Sequence, residues 1–493
     1  MDDIEINPLK EETDDIEGSN YEPSKFKVIR KNDTGFLVLI VLSGSMFSLY
    51  LGLSFVWPSS VIPKLESNVT EENPLGRRIT TFETSMLAGL PIIGILLGPI
   101  VIGYVSELVG RKGSIEIASL GIIVSILALS SSINIICIIT FRCGYSFFVT
   151  GAANVFFIYV IEICEDHNRA KYSCLALAFS PIGYTLGYSI GAALNFKNFN
   201  LVELSPMILL FIFFFLAPES PIYNLSKHKT EKCMKDIKRL RHNKSERELQ
   251  IDLRNIYSTI QTSKKISEEK MLLIKLVSTK EKRYSLMLAS SLAILQIFCA
   301  FGIIIPFMEP IFIATETKFN SSHLPIIAAS FKVIACTAAS FIVEKCGRRP
   351  LLIISAMGSG VLLLVLGCFF YLKYIESPLI YQMQWLPLAC IISYTLLSSF
   401  GIFLIPLVTI GELFTPDVRS TGISVVSIVF SMLLFFSSGT YPYIVEYIGM
   451  HWCLWLYGSL SLLSALIIYL IIPETSGKSI NEIQANIKAL CNK

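Results

Sequence analysis

Residues 103–112 read Gly-Tyr-Val-Ser-Glu-Leu-Val-Gly-Arg-Lys, a charged, glycine-bearing turn between two long apolar runs. A near copy lies at 344–350, Glu-Lys-Cys-Gly-Arg-Arg-Pro, again between apolar runs. In each copy an acid, Glu107 or Glu344, precedes a glycine, Gly110 or Gly347, and two cations follow it: Arg111 and Lys112, Arg348 and Arg349. Glycine permits a tight reversal, and the charges on either side are free to pair across helix ends. A polar connector repeated inside an otherwise apolar chain marks two copies of one membrane half.

Composition supports this reading. The chain has 493 residues, 53% hydrophobic and only 16% charged, whereas soluble domains carry about 25% charge. Twelve apolar runs follow one another, at about 36–57, 85–105, 114–133, 135–161, 172–194 and 201–217, then 286–308, 324–343, 350–372, 384–411, 421–444 and 451–472. A bilayer core needs about 20 apolar residues per crossing, and the absence of water there forces such runs to be helices. The expected fold is an all-α polytopic membrane protein of twelve transmembrane helices in two six-helix halves. The expected divisions are a tail at 1–35, a first half at 36–217, a linker at 218–284, a second half at 285–473 and a tail at 474–493.

Charge placement sets the expected orientation. Arg111, Lys112, Arg169, Lys171, Lys345, Arg348, Arg349 and Arg419 all fall on one side with the cation-rich linker, which makes that side and both termini cytoplasmic by the positive-inside rule. The acidic start and late first apolar run do not form a cleavable signal peptide, and a disordered tail is expected there. Asn68-Val-Thr70 then lies outside, open to N-glycosylation. The linker mixes cations with Ile237, Leu240, Leu249, Ile251 and Leu253 at helical spacing, as short amphipathic helices would. The twelve cysteines are scattered through apolar runs with no Cys-x-x-Cys pair, a pattern of packing residues and not of a metal or disulfide framework. No nucleophile pair, metal cluster or phosphate loop stands out, so no enzyme, cofactor or metal site is expected.

The two halves share more than the turns. Glu162 is followed by Arg169 and Glu412 by Arg419 at the same spacing, and each half closes on Pro-Glu, at Pro218-Glu219 and Pro473-Glu474. Charges at helix ends on one face form a network that biases a two-state equilibrium, because breaking such pairs costs little once the groups are hydrated. Glu107, Gly110, Arg111, Glu162, Arg169, Glu344, Gly347, Arg348, Arg349, Glu412 and Arg419 are therefore assigned to a cytoplasmic gate.

With these residues in place, the chain resembles the sugar porters of the major facilitator superfamily, nearest the arthropod glucose- and trehalose-facilitator group. The resemblance rests on GYVSELVGRK, Glu162 to Arg169, PESPIYNL at 218–225, EKCGRRPLL at 344–352, GELFTPDVR at 411–419 and PETSGKSINEI at 473–483. Trp57 to Leu65 matches the end of the first helix in the arthropod members. It implies alternating access of two halves around a central site that carries a small solute, a sugar such as trehalose or a hexose, without chemistry. The partners implied are that solute and the lipid bilayer, with no nucleic acid, for a transporter working as a monomer in the plasma membrane. The resemblance places the solute near Gln296, Ile297, Gly302, Leu177, Gly183, Lys332, Leu407, Phe430 and Ser54. Several departures fall there: Leu177 replaces a glutamine, Leu407 a tryptophan and Phe430 an asparagine, and only Gln296 survives of the helix-seven Gln-Gln-Leu-Ser-Gly-Ile-Asn.

Lys332 stands about 18 Å from the cytoplasmic end of helix eight, at 1.5 Å per residue, where an ionisable group is costly and a functional candidate by default. It is expected either to pair structurally with an acid such as Glu309 or to contact an anionic or polar solute. Ser54 occupies the helix-one position where proton-coupled relatives carry an acid, which favours uniport over symport. Glu309 is expected near the outer end of helix seven as a hydrated acid. Two other functions remain in play: transport of a non-sugar solute such as an organic anion, and a non-transporting sugar sensor.

Overall fold

The computed structural model describes residues 34–68, 73–267, 275–415, 418–476, 478 and 480–491, and among these every regular element is a helix. Helices one to six are Gly35–Glu66, Thr81–Val109, Arg111–Ser131, Ile135–Ile163, Asp166–Ala193 and Phe196–Phe214. Helix seven is divided into Lys280–Phe298, Phe301–Ile304 and Met308–Thr315, and helix eight is Leu324–Cys346. Helices nine to twelve are Arg348–Tyr374, Leu386–Leu413, Arg419–Tyr447 and Met450–Ile471. Ten of these are long and apolar enough to cross a membrane; the other two are divided helix seven and helix eight, whose apolar part is Leu324–Ala339.

Two boundaries differ from expectation. Helix one continues past residue 57 to Glu66 through Pro58 and Pro63, and helix seven runs on to Thr315 in pieces. Pro58 and Pro306 each remove a backbone donor, and a side chain from another helix takes up the freed carbonyl; helix one runs through its prolines, whereas helix seven breaks around Pro306 and resumes at Met308.

The packing repeats with an offset of six. Helix one packs on five, two on four, three on four and six; likewise seven packs on eleven, eight on ten, nine on ten and twelve. Two further seams, helix two with eleven and helix five with eight, join the halves. The same offset exchanges these two seams, as a pseudo-two-fold axis between the halves requires.

The halves also meet through hydrogen bonds at the end remote from the Arg111 and Arg348 turns. Ser59 Oγ accepts from Glu309 N at 2.8 Å, Tyr188 Oη donates to Ile305 O at 2.6 Å, and Ser85 Oγ donates to Gly439 O. That end is sealed.

The linker forms Pro221–Ser226, Thr230–Leu240 and Glu246–Ser267, and it is fastened to the first half. Cys233, Ile237 and Leu249 bury together, whereas Ile251, expected on the apolar face, is exposed. Arg241 and Lys244 approach Glu165 at the start of helix five, at 3.5 and 3.0 Å, and both also reach Asp252. A last helix, Ile480–Cys491, returns to the second half, where Ile483 and Ile487 are buried and Gln484 Nε2 donates to Leu413 O at 2.8 Å.

Candidate functional site

The two charged turns have one construction. Gly110 and Gly347 take φ of 101° and 81°, a backbone region that disfavours any side chain. At Gly110 an added Cβ would also lie 2.2 Å from Glu219 Oε2. Each glycine opens the next helix, and the acid of the Pro-Glu pair accepts that helix's first backbone N–H groups. Glu219 Oε1 receives Arg111 N and Lys112 N at 2.9 and 3.1 Å; Glu474 receives Arg348 N and Arg349 N at 3.1 and 3.0 Å. A carboxylate there complements both the orphan donors and the positive end of the helix dipole. Burial pushes the Glu219 carboxyl up from its ordinary value, while the N–H groups of Ser220, Lys112 and Arg111 pull it down.

The side chains then pair within each half. Arg111 Nη2 meets Glu162 Oε1 at 2.9 Å, and Arg348 pairs with Glu412. Lys112 Nζ donates to Phe215 O, and Arg349 likewise to Tyr469 O, tying each turn to the last helix of its own half. Glu162 thus joins Arg111 and not Arg169, whose Nε donates to Ile161 O at 3.2 Å. Glu107 is exposed and acts on Arg111 only through its charge. Arg419 Nε is buried without a hydrogen-bond partner. The side chain of Glu344 lies outside the described residues.

At the centre, several residues expected to meet solute hold broken helices together instead. A proline removes the donor to the carbonyl four residues back, and three such carbonyls are supplied from other helices. Pro58 frees Ser54 O, which accepts from Arg142 Nη2 of helix four. Pro306 frees Gly302 O, which accepts from Ser438 Oγ of helix eleven at 2.7 Å. Pro406 frees Ile402 O, which accepts from Gln296 Nε2 at 2.9 Å. One N–H of the Gln296 amide is therefore committed to the backbone of helix ten. Gly302 serves the contact of helix seven with helix eleven. Gly183 lies where helices one and five cross, and a Cβ there would sit 2.1 Å from Leu49 O. Ile297 is buried with Ile92 and Leu434, and Phe430 packs in the same cluster, 5.9 Å from the Phe301 ring. Leu177 and Leu407 are exposed, at 41% and 66%.

Described residues line two cavities in this region. One is lined by Ser54, Phe55, Pro58, Ala88, Pro91, Ile92, Ile95, Arg142, Pro306, Leu434 and Ser438, so both halves contribute. The other is lined by Phe301, Ile305, Lys332, Tyr394, Thr395, Ser398, Ile402 and Phe403. Lys332 is 4% exposed, with Nζ 4.1 Å above the Phe403 ring and 5.7 Å from that of Tyr184. Its expected pairing with Glu309 is absent. Glu309 is itself buried, at 5% exposure, not hydrated as expected, and its neighbouring cation is Lys64.

The sequence reading passed over Arg142 and Glu203, both ionisable groups inside apolar runs and flagged by that fact alone. Arg142 is 2% exposed; Nη1 donates to Ser54 Oγ and Ser146 Oγ at 3.2 Å, and the guanidinium lies 4.8 Å from Trp57 and 5.1 Å from Tyr145. Tyr145 Oη donates to Glu203 Oε2 at 3.1 Å.

Two six-helix bundles related by a pseudo-two-fold axis, with cavities at their junction and matched charged turns at one end, define a membrane solute transporter. The chain belongs to the sugar (and other) transporter family, whose description matches residues 36–487. It is 26% identical over 482 residues to a facilitated trehalose transporter of Bombyx mori, covering 97% of this chain and 91% of that one. It is also 26% identical to the corresponding protein of Apis mellifera ligustica, covering 97% and 93%. Among solved structures, the inward-open xylose transporter XylE from E. coli superposes with a TM-score of 0.75 at 19% identity, covering 91% of this chain and 99% of XylE.

Proposed function

We propose that this chain is a facilitative transporter that carries a sugar such as trehalose or a hexose across the membrane by alternating access. The observation that carries the reading is the family match through both halves, from residue 36 to 487. Similarity to transporters named for facilitated trehalose transport, over 97% of the chain, supports the uniport and the substrate class. Ser54 in place of a helix-one acid agrees with movement down a gradient without a proton.

The turn end is the cytoplasmic face, by its excess of Lys and Arg, with both termini inside and the transporter a monomer in the plasma membrane. The halves are bounded at 36–217 and 285–473, flanked by tails at 1–35 and 474–493 and joined by the linker at 218–284. On this orientation the sealed end is extracellular. Opening it breaks the Ser59–Glu309, Tyr188–Ile305 and Ser85–Gly439 bonds, each worth about 0.5–1.5 kcal/mol net. The Arg111–Glu162 and Arg348–Glu412 pairs, with the Gly110 and Gly347 turns and Arg169, Arg349, Glu107, Glu344 and Arg419 around them, form the cytoplasmic gate. Asn68 is exposed on the outer side, its Oδ1 held by Arg78 Nε at 2.9 Å, and Asn68 is available for glycosylation.

The test is uptake of labelled trehalose and glucose into proteoliposomes, with and without an imposed proton gradient. Saturable uptake that ignores the gradient is the expected result. Folded protein that moves neither sugar would overturn the reading.

A further inference from the structure

We propose that the cavity around Lys332 selects a solute carrying one carboxylate together with hydroxyl groups, a sugar acid, in preference to a neutral sugar. The proposal rests on the reading of the chain as a solute transporter with its site between the halves.

Lys332 is almost fully buried, and its ammonium faces two rings, Phe403 and Tyr184. Among the described residues no hydrogen bond and no carboxylate pairs with Nζ. The acids of these helices lie outside the cavity lining and are engaged elsewhere. On helix seven Glu309 sits beside Lys64, on helix ten Glu412 is held by Arg348, and on helix six Glu203 is held by Tyr145. Ring faces attract an ammonium but replace only part of its lost hydration. A cation kept dry without an anion is costly, and an anionic group entering the cavity relieves that cost.

The cavity holds only about 10 Å³ as it stands, room for about one water, so a solute enters it as the halves part, and the rest of the lining then meets its hydroxylated body. Tyr394 Oη donates to Cys299 O, Thr395 Oγ1 to Ile392 O and Ser398 Oγ to Thr395 O. Their hydrogens are spent on backbone, so their lone pairs are left to accept from solute hydroxyls. Phe301 and Phe403, stacked at 6.0 Å, present ring surface to the carbon skeleton. One of the two N–H donors of the Gln296 amide, at a position that would donate to a neutral sugar, is taken by Ile402 O. One ammonium matches one carboxylate; a doubly charged phosphate ester would leave a buried negative charge unbalanced.

Uptake of such a solute by uniport moves one negative charge per cycle, so it responds to membrane potential while uptake of a neutral sugar does not. The experiment uses the full chain in proteoliposomes with labelled glucuronate and glucose, under potassium-diffusion potentials of either sign, for the wild type, K332Q and K332R. The expected result is saturable glucuronate uptake favoured by an inside-positive potential. The glucuronate-to-glucose ratio should fall at least tenfold in K332Q and be partly restored in K332R. Wild type that carries glucose but not glucuronate sinks the proposal and leaves the sugar reading standing. An unchanged ratio in K332Q also sinks it. If protein that elutes as a monodisperse peak moves neither solute, both readings fall together.

Discussion

Arg142 in the first half and Lys332 in the second are both cations buried within the membrane region, and their surroundings are opposite. Arg142 is surrounded by partners: two serine hydroxyls, the Ser54 carbonyl freed by Pro58, and the rings of Trp57 and Tyr145, with Glu203 one residue further. Lys332 has two rings and a cavity. A fork of five donors suits a structural post, whereas a single ammonium on a long stem suits a ligand that comes and goes. The first half is therefore held together around its charge, and the second half keeps its charge available.

Substitution by methionine separates these roles most sharply. R142M strands the Ser54 carbonyl and leaves Glu203 without its neighbouring cation, and should cost about 3–5 kcal/mol, read as a large fall in Tm of the detergent-purified protein. K332M removes a charge with no carboxylate partner and should leave Tm unchanged or raise it; a fall as large as that of R142M would end the comparison.

The turns compare the halves at smaller scale. Alanine at either glycine meets an extended backbone of positive φ that is essentially glycine-only, costing about 1–3 kcal/mol. G110A also drives its Cβ toward Glu219, at 2.2 Å, where G347A leaves 3.1 Å to Glu474. G110A should lower Tm and uptake more than G347A, and the reverse order would mean that the second turn is the tighter. E219Q and E474Q each weaken a charge-assisted cap of a helix start, by about 1 kcal/mol, and equal Tm losses are expected because each acid takes two N–H groups of the turn and one of its own segment, Ser220 or Ser476. The smallest effect belongs to S59A. It removes one hydrogen bond across the sealed end, about 0.5–1.5 kcal/mol, without touching either half's core. Tm should barely move, while labelling of an introduced cavity cysteine from the side remote from the charged turns should rise severalfold.

Much of this architecture was legible because its causes are local. A run of about 20 apolar residues must be a helix in lipid wherever it lies, and a Gly-Arg-Lys turn repeated at half-length reports a repeated half. The Pro-Glu pairs were visible as repeats, but their function was not, since Glu219 acts on residues more than a hundred positions earlier. Helix seven was read as one span because prolines signal a break without saying whether another helix will bridge it.

The site was the least legible part. Gln296 matched a sugar-binding position by alignment of motifs, yet its amide nitrogen goes to Ile402 O, freed by Pro406 on another helix. Gly183 matched a lining position, yet its lack of a side chain serves the close approach of helix one.

The sequence by itself determined the membrane class, the two repeated halves, the charged turns and the exceptional position of Lys332, because these follow from hydrophobicity, charge and spacing along the chain. Only the tertiary structure decided which buried cation is hydrogen-bonded, Arg142 through both Nη atoms though not Nε, and which is not, and which polar side chains bond to carbonyls that prolines set free. The reason is that a hydrogen bond in the membrane interior is settled by whichever donor the neighbouring helix brings within reach, and sequence distance does not carry that information.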